Sequence, residues 1–102
     1  MPASLLLLRV ATTWPLPGLG LLALPAGPTP HLSAHPLHSA LAVTATVPDG
    51  ESYAAIATVE EVTRPAAPTT VIRSLLLDFG SPVDLPPGTE IWLVEAENIA
   101  GS

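Results

Sequence analysis

The chain has 102 residues, three arginines, no lysine and nine carboxylates, for a formal net charge of −6. That length predicts one domain over residues 1–102, and the charge argues against nucleic acid as a partner of the chain on its own, because lysine and arginine supply most of such affinity. The absence of cysteine excludes disulfides and thiolate chemistry, while 48% apolar against 12% charged residues excludes a disordered chain.

Thirteen prolines rule out a mostly helical fold, since a helix interior loses about 3 kcal/mol or more at each. Between them lie runs of strand length. Residues 5–14 open the chain with a loose alternation: Leu6, Leu8, Val10 and Thr12 on one face, Leu5, Leu7, Arg9 and Ala11 on the other. The run of leucines predicts a strand covered on both sides, or one whose outer face meets a partner. Pro15-Leu-Pro-Gly18 is predicted as a turn and 19–24 as a short strand, followed by a proline-rich break over 25–30.

The stretch 31–38 is ambiguous, with Pro36 against a helix. The clearest strand is 37–47, which places Leu37, Leu41, Val43, Ala45 and Val47 on one face. Pro48-Asp-Gly50 is predicted as a hairpin turn into a partner strand over 51–64, with Tyr53, Ala55, Ala57 and Val59 together on one face. Residues 65–68 break the chain, 69–79 alternate again, 80–88 hold three prolines and read as loop, and 90–97 supply a last strand. About six strands at this spacing predict an all-β fold, either a small six- to seven-stranded closed barrel or a β-sandwich.

The apolar N-terminal segment meets neither the signal-peptide nor the membrane-span pattern. No basic region precedes the leucines, Arg9 interrupts them, and Pro15 and Pro17 break the run short of about 20 apolar residues. The expectation is a cytoplasmic protein without a membrane partner.

Groups that could carry chemistry are few. His31, His35 and His38 fall within eight residues and could in principle supply a zinc site, but Pro36 denies them one helix face and a strand splits them between two faces. They are expected to occupy a solvated loop, with no metal and no cofactor. Glu60 and Glu61 point to opposite faces of a strand and cannot share a proton. Glu95 and Glu97 share a face at the end of the last strand, where an acidic edge that blocks strand pairing is the expectation. No Gly-x-Ser-x-Gly elbow is present, and zero lysines exclude a Walker-type phosphate loop. Trp14, Tyr53, Phe79 and Trp92 are too dispersed for a stacking platform and read as core or rim residues. No catalytic residue is predicted.

The order of elements resembles a known family. An opening strand leads to Trp14-Pro-Leu-Pro-Gly-Leu-Gly20 and Leu21-Leu-Ala-Leu24; later come Ala57-Thr-Val-Glu-Glu-Val62, Leu75-Leu-Leu-Asp-Phe-Gly80 and Asp84-Leu-Pro-Pro-Gly-Thr-Glu90. Together these look like the β-barrel second domain of translation GTPases such as elongation factor Tu, with Asp84–Thr89 similar to the loop that introduces that family's final strand. Gly18-Leu-Gly20 lacks the basic residue of the family's turn, and Pro87 stands where a basic residue is common. The resemblance implies a free-standing barrel module without a GTPase domain, and carries no GTP hydrolysis, RNA delivery or site residue to this chain. The expected function is a non-enzymatic β-barrel interaction module that binds a protein partner or self-associates. The alternative is a small-molecule-binding or exported β-sandwich.

Overall fold

A computed structural model describes residues 5–27, 29–64, 67–80 and 83–94. Six antiparallel strands, β1 (Leu5–Leu16), β2 (Gly20–Pro25), β3 (Ala40–Thr46), β4 (Ser52–Arg64), β5 (Ala67–Asp78) and β6 (Glu90–Leu93), close into a barrel in the order β1-β2-β5-β4-β3-β6. The fold is therefore the barrel of the two expected architectures. Closure joins the first and last strands through Leu5↔Leu93, Leu6↔Trp92, Leu8↔Ile91 and Arg9↔Glu90, so the sheet closes on itself.

Strict alternation fails in β1. The register slips between Leu6 and Leu8 against β6 and between Val10 and Thr12 against β2. A bulge inserts a residue and turns the strand, so Leu7 and Leu8 are both buried in the core although they are adjacent. The leucine run is thus explained by a bent, closing strand, and the single face expected from period 2 is divided by the bulges.

Elsewhere the inner face follows the alternation. Leu21↔Leu77 and Ala23↔Leu75 continue through Ala57↔Leu77 and Val59↔Leu75, and Ala45↔Ile91 continues to Tyr53. Ala23, Val43, Ala45, Ala57, Val59, Leu75, Leu77 and Ile91 are almost fully buried in one cluster. Small alanines alternate with branched residues, as a narrow barrel interior requires. The loop between β2 and β3 closes one end: its single 3-10 turn, Leu32–Ala34, buries Leu32 in the same cluster. Arg73 Nη1 donates to the His35 carbonyl at 3.2 Å, tying that loop to β5.

Two boundaries differ from expectation. β1 continues through Pro15 and Leu16, and the turn follows, with Leu19 N–H donating to the Leu16 carbonyl and Gly18 at φ 80. Pro15 is tolerated because, among the described residues, β6 pairs with Leu5–Arg9 alone and no strand flanks that part of β1 on the side away from β2. β3 begins at Ala40 and not at residue 37, because Pro36–Ser39 forms a turn in which Ser39 N–H and Oγ both donate to the Pro36 carbonyl. His38 then takes a positive φ of 67, a conformation in which histidine is enriched among non-glycine residues. β6 is described as far as Leu93, and residues 95–97 lie outside the described residues.

β4 and β5 outrun their other neighbours. The β3–β4 register ends at Ala40↔Thr58 and the β2–β5 register at Ala23↔Leu75, yet β4 and β5 stay paired through Glu60↔Ser74, Glu61↔Arg73, Val62↔Ile72 and Thr63↔Val71. The pair leaves the barrel as a two-stranded arm.

Candidate interaction surface

The residues expected to be inert are placed in separate roles. His31 precedes the 3-10 turn, His35 follows it, and His38 stands at the entrance to β3 with its N–H donating to the Val59 carbonyl at 2.7 Å. His38 Nδ1 lies 3.4 Å from Glu60 Oε1. Among the described residues, no three histidine, aspartate or glutamate side chains converge on a position that could hold a metal ion. Glu60 and Glu61 take opposite faces as expected; Glu61 Oε2 meets Arg73 Nε at 3.3 Å while Glu60 faces His38. Glu95 and Glu97 lie outside the described residues.

The two arginines whose side chains are described do not gather. Arg9 pairs with Glu90 and Arg73 with Glu61, on different strands. The hydroxyls of Ser33 and Ser39 donate to the Thr29 and Pro36 carbonyls, so each serves its own turn. Tyr53 and Phe79 meet edge to face at 6.4 Å. The Tyr53 hydroxyl donates to Glu51 Oε1 at 2.9 Å; this hydrogen bond, then the Glu51 charge, partial burial and Asp49 push the phenol above its ordinary value of 10.0.

The arrangement that sequence reasoning missed is a groove beside the β1–β2 turn, with a volume of about 500 Å³. Pro15, Leu16, Leu19, Leu21, Phe79 and Val83 line it, and among the described residues Asp78 is the one charged member of its lining. Three local features build it. Gly20 closes the turn at φ 133 with its Cα packed on the Leu77 carbonyl, drawing the turn against the end of β5. Asp78 Oδ1 accepts the Gly80 N–H at 3.0 Å, and Gly80 adopts φ 78, so the chain leaves β5 sharply and opens the floor. Leu19, at the tip of the turn, is 63% exposed.

The outer wall next to the groove is also apolar. Trp14, 47% exposed, lies across from Leu22, and Leu22 lies across from Leu76. Of the leucine run, Leu7 and Leu8 belong to the core and Leu5 and Leu6 are half-buried, while Trp14 and Leu19 are exposed beside the groove, as Ile56, Val71 and Val94 are elsewhere. Only the turn residues could have signalled this, because a leucine between two glycines of positive φ has no inward direction to take. A second groove of similar size runs along Leu5–Arg9 beside Ala26, Gly27, Pro30 and His31.

Compared with protein families, with curated proteins and with solved structures, the chain shows no match.

Proposed function

We propose that the chain is a non-catalytic β-barrel interaction module that binds a protein partner through the groove beside the β1–β2 turn. The observation that carries this reading is the exposure of Leu19 and Trp14 around an apolar groove in a chain that buries its other leucine-rich segment. A large apolar side chain held in water at the tip of a rigid turn gains free energy only when something covers it. With Asp78 the sole charge among the described lining residues and an overall charge of −6, the fitting partner is an apolar segment flanked by a basic residue.

Among the described residues, Ser33, Ser39, Arg9 and Arg73 make contacts that serve the fold, which supports a binding role. The resemblance of Asp84–Thr89 and the Gly18-Leu-Gly20 turn to the second barrel of translation GTPases supports a binding role, although a six-stranded barrel is common to many families and does not select this one. A groove of about 500 Å³ also has the size of small-molecule sites, which gives the alternative, a small-molecule-binding module.

Site-specific photo-crosslinking in the native host separates these readings. A crosslinker at position 19 is expected to yield a discrete protein adduct, and one at the exposed position 40, on the far wall, none. Equal adducts from both positions, or none from either with a small molecule retained in native mass spectrometry, would remove the protein-partner reading.

A further inference from the structure

We infer that the Asp49–Gly50 bond in the β3–β4 turn is a site of spontaneous backbone modification. Aspartate at position 49 converts to isoaspartate through a cyclic imide, at a rate set by opening of the turn.

Both residues are exposed. The nucleophile is the Gly50 backbone nitrogen, and the electrophile is the side-chain carboxyl of Asp49, one residue back. Glycine has no Cβ to hinder that attack, and open space surrounds the Gly50 Cα. Asp78 supplies the contrast. It is also exposed, and its Oδ1 accepts the N–H two residues on, from Gly80 at 3.0 Å, as Asp49 Oδ1 accepts that of Glu51 at 3.1 Å. Phe79 follows Asp78, however, and Leu85 follows Asp84, so a side chain crowds the attacking nitrogen at each. Of the three aspartates only Asp49 precedes glycine.

In the first step the Gly50 nitrogen bonds to Asp49 Cγ, and the Gly50 amide proton leaves with the carboxyl hydroxyl as water, closing a five-membered imide. Water then opens the ring. Addition at Cγ restores aspartate. Addition at the Asp49 backbone carbonyl carbon breaks its bond to nitrogen, so the chain runs through Cβ and Cγ and the former backbone carbonyl becomes a free carboxylate. The main chain gains one methylene, the charge is unchanged, and the only co-reactant is water.

The closed turn withholds both reacting groups. Gly50 N–H donates to the Val47 carbonyl at 2.9 Å, Val47 N–H donates to the Glu51 carbonyl at 2.9 Å, and the Glu51 N–H holds the Asp49 carboxyl. Ring closure needs the Gly50 nitrogen freed of its proton and turned toward Cγ, so its bond to Val47 must break first. Exposed turns open locally at far less cost than the whole fold. Pro48 restrains that opening by fixing φ at the second position of the turn. In the product the added methylene carries Gly50, now at φ 104, out of the register that the two backbone bonds require. Val47 belongs to the core cluster, so the end of β3 is loosened with the turn.

Incubation of the whole chain at neutral pH, read by electron-transfer dissociation mass spectrometry, which separates isoaspartate from aspartate, tests this. Isoaspartate is expected to accumulate at position 49 and not at 78 or 84. Conversion in unfolding urea should be about tenfold or more faster than in buffer, because the turn no longer holds the nitrogen. Pro48→Gly keeps both reacting residues and should speed conversion in buffer by about two- to fivefold, with circular dichroism showing the variant folded. The converted chain should unfold at lower urea than the unconverted one. No isoaspartate at position 49 even in urea, or equal conversion at 78 and 84, would overturn the site. Equal rates in buffer and urea, or a folded Pro48→Gly variant without effect, would overturn control by the turn. A converted chain with the same unfolding midpoint would overturn the loss of register.

Discussion

Arg9 Nη2 stands 2.8 Å from Glu90 Oε2 across the seam where β1 meets β6, one step in register from Leu8 and Ile91, which meet inside the barrel. The same seam is thus held by an exposed ion pair outside and an apolar contact inside, and their magnitudes differ. With side chains 56% and 32% exposed, the ion pair is worth under about 1 kcal/mol. Truncating a buried isoleucine costs about 2–5 kcal/mol. Arg9→Ala should therefore lower stability by less than about 1 kcal/mol in urea unfolding, and Ile91→Ala by several-fold more. Equal losses would show that closure is electrostatic.

Gly20 combines φ 133 with a Cα resting on the Leu77 carbonyl oxygen, into which a Cβ would run. Backbone cannot retreat as a flexible side chain can, so Gly20→Ala should cost roughly 2 kcal/mol or more. Gly18, also at positive φ but with open space around its Cα, should tolerate alanine better, at about 1 kcal/mol. Thermal unfolding of the two variants ranks them, and the reverse order would remove the close approach from the account of the groove.

The Tyr53 phenol is held above its ordinary value by its bond to Glu51 and by the charge of that carboxylate. A group whose folded-state pKa is raised favours folding below its unfolded pKa, and loses that contribution as pH rises through the folded value. Stability should accordingly fall above about pH 10, and Tyr53→Phe should flatten that fall. Glu51→Gln should lower the phenol's titration midpoint, read by ultraviolet absorbance; an unchanged midpoint would show that Glu51 is not the cause.

Ser74 is fully buried on β5 with no hydrogen-bond partner for its hydroxyl among the described residues. A buried hydroxyl without a partner carries its desolvation cost uncompensated. Ser74→Ala should be neutral or stabilising by up to about 1 kcal/mol. A clear loss of stability in denaturant unfolding would mean that the hydroxyl is bonded in solution.

Where one face of a strand meets the core, the pattern was readable. Val43 and Ala45 on β3, Ala55, Ala57 and Val59 on β4, and Leu75 and Leu77 on β5 are inward as period 2 requires, because a one-residue slip would expose them all. The Asp49-Gly50 turn was readable too, with Asp49 Oδ1 accepting the Glu51 N–H. β1 was not, since a bulge has no local signature in a run of leucines. Leu32 gave no signal either: of the two leucines in the loop over 26–39, Leu32 is buried and Leu37 exposed, a difference decided by how the topology carries the loop over the barrel's end. The groove depends on the β1–β2 turn meeting the end of β5, residues separated by some fifty to sixty positions that no window joins.

The central claim is that the groove beside the β1–β2 turn is where this chain binds a protein. The most direct measurement is the affinity, by titration calorimetry, of the protein crosslinked at position 19 for the wild type, Leu19→Asp and Ala40→Asp. The account predicts that Leu19→Asp weakens binding by about tenfold or more, as loss of a central apolar contact does, while Ala40→Asp stays within about twofold. Equal affinity for all three would contradict it.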